Sequence, residues 1–126
     1  MESLIIEATS DTPNIILDQE NGKFEISGKS LPEDVSAVYT PVLEWLDRYV
    51  ASPNEKTKVV FKMEYYNTAS SKMILELLER FKKIHTDGNE IEFEWRYIED
   101  DDDMLEAGEE YSEILEVPFN LISIED

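Results

Sequence analysis

The stretch that decides the fold is residues 57–83, TKVVFKMEYYNTASSKMILELLERFKK. Residues 57–66 alternate apolar and polar side chains, the period of a half-buried β-strand. One face of this predicted strand carries Val59, Phe61, Met63 and Tyr65. Residues 70–86 then repeat apolar side chains at helical spacing along one stripe. The stretch therefore predicts a strand followed directly by a helix, the unit from which α/β sheets are built.

The rest of the chain extends this unit in both directions. Strands are predicted at residues 4–8, 14–18, 24–28, 90–98 and 119–124, and helices at residues 31–50 and 104–117. Asn21-Gly22 favours a hairpin between the second and third strands. Pro41 predicts a kink or a break near residues 37–40, and Gly108 an interruption of the last helix.

This element order predicts an α/β fold with a mixed β-sheet, an N-terminal antiparallel hairpin and strand-helix-strand units. Residues 1–126 form a single domain on this interpretation, because the length suits one core. The strands that end near Tyr66 and Ile98 are expected to be parallel, since each is joined to the next by a helical crossover. The alternating strand at 90–98, with glutamates on its outer face, is expected near a sheet edge.

The composition excludes several classes of function. The chain carries 30 acidic and 11 basic residues, a formal net charge of -19, which repels nucleic acid phosphate and anionic lipid. We therefore expect neither nucleic acid nor a membrane as a partner. The absence of cysteine excludes a disulfide framework, a thiolate zinc site and a cysteine nucleophile. The acidic N-terminus is unlike a signal peptide, and we expect a cytoplasmic protein.

Candidates for catalysis and metal binding are few. His85 is the one histidine, near the end of a helix, and neither a P-loop nor a GxGxxG motif occurs. We predict no catalytic residues and no cofactor. The acidic run at 99–103 lacks the EF-hand spacing, because Leu105 stands where glycine is needed and Tyr111 where glutamate is needed. We interpret the run as the exposed acidic first turn of a helix, and a partner-facing surface and a metal site are the two alternatives.

The junction YYNTASSK at residues 65–72 carries more hydroxyl groups than one helix cap requires. Asn67, Thr68 or Ser70 could each cap the helix. Alternatively, a hydroxyl there could accept a phosphate, which the free amides and the helix dipole would stabilise. Because parallel strands end at one edge of a sheet, the junction and the acidic run are expected to be neighbours in space. We infer a partner-binding surface formed by Tyr66, Asn67, Ser70, Ser71, Asp100, Asp101, Asp102 and Asp103.

Four motifs together resemble the SiaC family of bacterial regulatory phosphoproteins. They are LIIEATSDTP, PVLEWLDRYV, YYNTASSK and EWRYIEDDDDMLEAGEEYSEI, and in this order they cover essentially the whole chain. The resemblance implies a fold similar to the anti-sigma factor antagonists of the STAS type. It also implies that the threonine of the Tyr-Asn-Thr run, here Thr68, is phosphorylated.

The same resemblance implies the partners. A cognate protein kinase adds the phosphate, a PP2C-like phosphatase removes it, and the unphosphorylated form activates a diguanylate cyclase or another effector. Cyclic di-GMP signalling and biofilm formation then depend on the switch. We expect Ser70 or Ser71 to serve the helix, leaving Thr68 to the kinase. Two rival functions are a small-molecule-binding module at the same sheet edge and a metal-dependent hydrolase built on Asp100 to Asp103.

Overall fold

A sheet of six strands organises residues 1–125, the part of the chain that the computed structural model describes. The strands are β1 (Leu4–Ile6), β2 (Asn14–Asp18), β3 (Lys23–Ser30), β4 (Lys56–Tyr66), β5 (Glu90–Ile98) and β6 (Phe119–Ile124). The helices are α1 (Val35–Tyr49), α2 (Thr68–Thr86) and α3 (Asp102–Leu115). The strands lie across the sheet in chain order, so each helix connects two neighbouring strands.

The sheet is mixed, as the element order predicts. The first three strands pair antiparallel, and the hairpin between β2 and β3 contains Gly22 at a φ of 66°. From β3 to β6 every pair is parallel. The predictions of an N-terminal hairpin and of parallel β4 and β5 are therefore confirmed. The consequence for function is that β4 and β5 end at the same edge of the sheet.

The helices pack on one face of the sheet and leave the other face open. Phe24, Phe61 and Trp95 lie on the covered face of β3, β4 and β5, and all three are buried. Phe24 contacts the aromatic ring of Tyr49 on α1, and Trp95 contacts that of Tyr111 on α3. One hydrophobic core thus joins the three helices to the sheet.

The predicted break near Pro41 and the predicted interruption at Gly108 are both absent. The helix α1 runs without a break through Pro41, whose ring is exposed, as is Ala37 one turn earlier. Solvent can therefore serve the Ala37 carbonyl that proline leaves without its usual donor. The helix α3 likewise continues through Gly108, which is buried against Trp95. A Cβ atom at this position would lie 2.6 Å from Trp95 Cδ1, so glycine here allows close packing of helix on sheet.

The predicted alternation along β4 fails at its end. Gly28 pairs with Met63, and the next pair is Lys29 with Tyr65, so Glu64 is an extra residue that forms a bulge. Because an extra residue reverses which side chains face the core, Tyr65 is 56% exposed while Tyr66 packs against the core. The prediction that Tyr65 shares one face with Val59, Phe61 and Met63 is therefore wrong, and the bulge brings Tyr66 to the covered side of the sheet.

Candidate functional site

The candidate site begins where β4 ends and α2 starts. Thr68 is the first residue of α2 and its side chain is exposed. The cap is provided by Asn67, whose side-chain oxygen accepts a hydrogen bond from the Ser70 amide at 2.9 Å. Asn67 was one of the three candidate caps, but the expectation that Ser70 or Ser71 serves this purpose is wrong.

The Ser70 hydroxyl lies beneath the helix and not on its surface. Ser70 has no exposed area, and its Oγ accepts a hydrogen bond from Ser30 Oγ on β3 at 2.8 Å. Ser30 Oγ is also 2.6 Å from the Tyr39 hydroxyl on α1. Ser70 therefore links α2 to two other elements, and the prediction that it belongs to a partner-binding surface is wrong because its side chain is buried. Ser71 Oγ, half-buried, donates to the carbonyl of Thr68 at 2.6 Å.

Two tyrosines lie beside the first turn of α2. The Tyr111 hydroxyl on α3 donates to the Ser71 carbonyl at 2.8 Å, and Tyr66 approaches from the end of β4. Burial raises the pKa of Tyr66, and the negative charges of Glu110 and Asp101 raise it further. Burial likewise raises the pKa of Tyr111. Both phenols therefore stay protonated at neutral pH and remain hydrogen-bond donors.

The acidic run lies at the same edge of the sheet. Asp101 caps α3 by accepting a hydrogen bond from the Met104 amide at 3.0 Å, and Asp102 and Asp103 stand in the first turn. This placement confirms that the run forms an acidic helix start, although the helix begins two residues earlier than predicted. The charge of Asp101 affects the Tyr66 phenol, so the junction and the run are close, as expected.

An open depression of about 700 Å³ adjoins the acidic run. Its lining residues are Lys29, Glu64, Ile98, Asp100, Asp101, Asp102 and Asp103. Across residues 1–125, no three or more His, Asp or Glu side chains are grouped so that they could hold a metal ion. Within the same residues, no helix is both long and apolar enough to cross a bilayer.

The sequence interpretation missed a groove between α2 and α3. At the end of the groove nearer the start of α2, a cavity of about 330 Å³ is lined partly by Tyr66, Lys72, Leu75, Tyr111 and Ile114. The available signal was Ile114, an apolar residue outside the buried stripe of α3, because it is 60% exposed. A single exposed apolar side chain is common on protein surfaces, so Ile114 alone was not enough to predict a groove.

Comparison with known proteins gives consistent results. The model of the SiaC family regulatory phosphoprotein matches residues 6–124. A protein of Pseudomonas aeruginosa strain UCBPP-PA14 is 28% identical over 119 residues, which cover 94% of each chain.

Solved structures from the same species share the fold. Apo-SiaC from Pseudomonas aeruginosa is 27% identical, with a TM-score of 0.89 over 98% of this chain and 100% of that one. A structure of the diguanylate cyclase SiaD in complex with its activator SiaC, also from Pseudomonas aeruginosa, contains a chain that is 26% identical. Its TM-score is 0.89 over 96% of this chain and 99% of that one.

Proposed function

We propose that this chain, which belongs to the SiaC family of regulatory phosphoproteins, is a non-enzymatic switch whose binding to an effector is controlled by phosphorylation of Thr68. The effector we propose is a diguanylate cyclase, because a relative of this chain forms a complex with such an enzyme as its activator. The switch would then act on cyclic di-GMP signalling and biofilm formation, in the cytoplasm.

The observation that carries this proposal is the position of Thr68. Its side chain is exposed, as a kinase requires, and it stands at the first position of α2. The first amides of a helix have no hydrogen-bond acceptor within the helix. The Asn67 side chain accepts a hydrogen bond from only one of them, the Ser70 amide. A phosphate on Thr68 is thus close to unpaired amides and to the positive end of the helix dipole.

Thr68 does not form the cap of α2, which supports the same proposal. Asn67 turns its oxygen inward to the helix, so Thr68 is not needed for the cap. A phosphoryl group adds about -1.5 to -2 charges at neutral pH. It would stand beside Tyr66 and close to the acidic run, and the cost of desolvating its charge would release a partner that packs against the exposed Thr68.

The proposed cycle needs three other proteins. A cognate kinase phosphorylates Thr68, a PP2C-like phosphatase restores the hydroxyl, and the unphosphorylated form binds and activates the cyclase. The proposed contact surface consists of Tyr66, Asn67, Ser71 and the aspartates from Asp100 to Asp103, which the fold brings to one edge.

The experiment combines phosphate mapping with a binding measurement. The chain is incubated with its cognate kinase and ATP, and the modified residue is identified by mass spectrometry. Thr68→Ala should abolish phosphorylation and keep cyclase binding, whereas Thr68→Asp should weaken binding. Thr40→Ala, at an exposed threonine of α1, is the matched control and should behave as wild type.

Two results would count against this assignment. One is phosphate on Ser71 with Thr68 unmodified. The other is cyclase affinity that is the same for Thr68→Asp and for the wild-type chain.

A further inference from the structure

The strand β6 is an edge strand without the usual protection against pairing. It is the last strand in the order across the sheet, so β5 is its one neighbour among residues 1–125. Natural proteins protect long edge strands with charged side chains, proline or a bulge, because an unpaired edge binds other strands. The sequence of β6, FNLISI, contains neither charge nor proline, and its six residues pair with β5 without a bulge. The opposite edge strand, β1, has only three residues.

Helix α3 covers one face of β6 and leaves the edge itself open. A Cβ atom at Gly108 would lie 2.9 Å from Leu121 Cδ2, so the helix lies directly above the strand. The four central residues of β6, from Asn120 to Ser123, are nevertheless exposed. Leu121 on the covered face is 36% exposed, and Ile122 on the open face is 37% exposed. Both faces of the edge thus present apolar surface that an added strand would bury.

The backbone of β6 shows which groups point outward. The Glu99 amide, just after β5, donates a hydrogen bond to the Ile124 carbonyl at 2.9 Å, so Ile124 directs its backbone groups toward β5. This direction alternates from residue to residue along an extended strand. Phe119, Leu121 and Ser123 therefore direct their N–H and C=O groups away from β5, where residues 1–125 provide no other strand. Groups at this spacing are those that an antiparallel partner strand pairs with.

From this geometry we propose that β6 pairs antiparallel with β6 of a second copy of the chain. A two-fold axis at Leu121 places this residue opposite Leu121 of the second copy and places Phe119 opposite Ser123 of the second copy. All the outward N–H and C=O groups are then paired. The two sheets join into one, with the helices of both copies on the same face. This inference goes beyond the proposed function and does not depend on phosphorylation of Thr68.

A second copy fits this edge better than a partner of opposite charge does. Side chains near a two-fold axis face their own counterparts, so any charge there meets a like charge. The chain has 30 acidic residues, yet β6 carries none of them. A basic partner strand would instead be selected by acidic side chains along the edge. The absence of charge from β6 is therefore what a two-fold contact requires.

The dimer also brings α3 of one copy beside α3 of the other. Ala107 and Ile114 line the groove toward α2. The opposite side of α3 therefore faces the β6 edge, and it carries Leu105, Glu109 and Ser112 at helical spacing. Because paired strands lie about 5 Å apart and packed helices about 8–10 Å apart, the two helices lie side by side.

This arrangement gives the dimer a characteristic dependence on salt. Glu109 is exposed on the side of α3 that approaches the second copy, so carboxylates of the two helices repel each other. The net charge of -19 on each copy adds repulsion over a longer range. Dimerisation is therefore weak at low ionic strength and becomes stronger as salt screens the repulsion.

Sedimentation equilibrium of the free full-length chain tests the dimer. We expect the apparent mass of wild type to rise with protein concentration from that of one chain to that of two. The dissociation constant should fall about tenfold or more between about 0.01 M and 0.15 M sodium chloride. Leu121→Lys places like charges at the axis and should weaken the dimer at least about tenfold. Ile5→Lys is the matched control, because Ile5 is 62% exposed on the opposite edge strand, and it should dimerise as wild type does.

Two further variants distinguish lost pairing from lost folding. Ser123→Pro removes an outward N–H and none that bonds to β5, and an edge strand tolerates proline at such a position. It should abolish the dimer and leave the Tm of the dilute chain nearly unchanged. Glu109→Gln should strengthen the dimer and reduce its dependence on salt, whereas Glu113→Gln, at another exposed glutamate of α3, should do neither.

Each result supports or overturns the proposal. A chain that sediments as a monomer at every protein and salt concentration overturns it. A dimer that persists in Leu121→Lys and in Ser123→Pro also overturns it, because another surface then forms the contact. Association that continues beyond two copies and is lost in Ile5→Lys would indicate head-to-tail pairing of β6 with β1, which contradicts the two-fold contact. Loss of the dimer in the two β6 variants alone supports the proposal, whether or not the chain binds a cyclase.

Discussion

At the scale of single residues, Asn67 and Thr68 are adjacent in the chain but differ in what their side chains contact. Asn67 is half-buried and its amide oxygen holds the Ser70 N–H, while Thr68 is exposed. The stability of the helix start and the proposed regulation therefore depend on different residues. Substitution of each in turn should separate the two effects.

Asn67→Ala should lower the free energy of unfolding by about 1 kcal/mol, the usual cost of losing a side-chain cap. Thr68→Ala should change it by no more than about 0.5 kcal/mol, as for most exposed positions. Urea denaturation of both variants and of wild type measures the difference. Equal losses for the two variants would mean that Thr68 shares the capping role.

The position of Thr68 at the start of α2 was predictable from the sequence, but the identity of the cap was not. Asn67, Thr68 and Ser70 are all residues that cap helices. The choice depends on Ser30 and Tyr39, which are distant in the chain and hold the Ser70 hydroxyl in the core. Local preferences do not contain that information.

At the scale of secondary structure, the sequence predicts each element but not the local departures from ideal geometry. Strand alternation places Val59, Phe61 and Met63 correctly in the core. It fails at Tyr65, because the bulge at Glu64 depends on how β4 pairs with β3. It is right that Glu94 faces away from the core, but it does not predict that this side chain is only 6% exposed.

Glu94 lies on the open face of the sheet within an ion-pair cluster that joins β4 to β5. Its carboxylate oxygens are 2.6 Å from Arg96 Nη2 and 3.4 Å from Lys58 Nζ. Burial acts to raise the pKa of this carboxyl, but the hydrogen bonds and charges of Arg96 and Lys58 outweigh burial and hold the pKa below its usual value of 4.5. The ionised form is therefore stabilised in the folded state.

Glu94→Gln should lower stability at neutral pH by about 1 kcal/mol, a low value for a charged hydrogen bond because both cations are partly exposed. A carboxyl whose pKa is lower in the folded state than in the unfolded state stabilises the fold at pH values above its unfolded-state pKa. This stabilisation is lost as the pH falls through the folded-state pKa. The difference between wild type and variant should thus narrow below pH 4.5. Urea denaturation across this range measures it, and Glu90→Gln, at an exposed glutamate on the same strand face, is the control. A difference that stays constant with pH would contradict this account.

At the scale of the whole molecule, the excess of negative charge dominates the electrostatics. Thirty acidic residues face 11 basic ones. The ion pairs of residues 1–125 engage the cations Lys58, Arg80 and Arg96. Because carboxylates far outnumber these cations, we expect their mutual repulsion to oppose the compact state.

Added salt should stabilise this fold, because it screens repulsion more than it weakens a few ion pairs. The Debye length falls from about 30 Å at 0.01 M to about 8 Å at 0.15 M ionic strength. We expect Tm to rise over this interval in sodium chloride and to rise equally in potassium chloride. A Tm that falls with either salt would show that the ion pairs matter more than the net charge.

The first turn of α2 is fixed from several sides, and this affects how a signal can be transmitted. The backbone amide of Asn67 donates a hydrogen bond to the Ser30 carbonyl, and the Ser70 hydroxyl accepts one from the Ser30 hydroxyl. The Tyr111 hydroxyl donates one to the Ser71 carbonyl. A turn anchored to a strand and to another helix resists displacement, so the proposed phosphorylation of Thr68 would change the surface potential without moving the backbone. The modified and unmodified proteins would then have nearly the same shape. Partners that distinguish the two forms would then have to detect charge. A conformational antibody or a distance probe across the fold would not distinguish them.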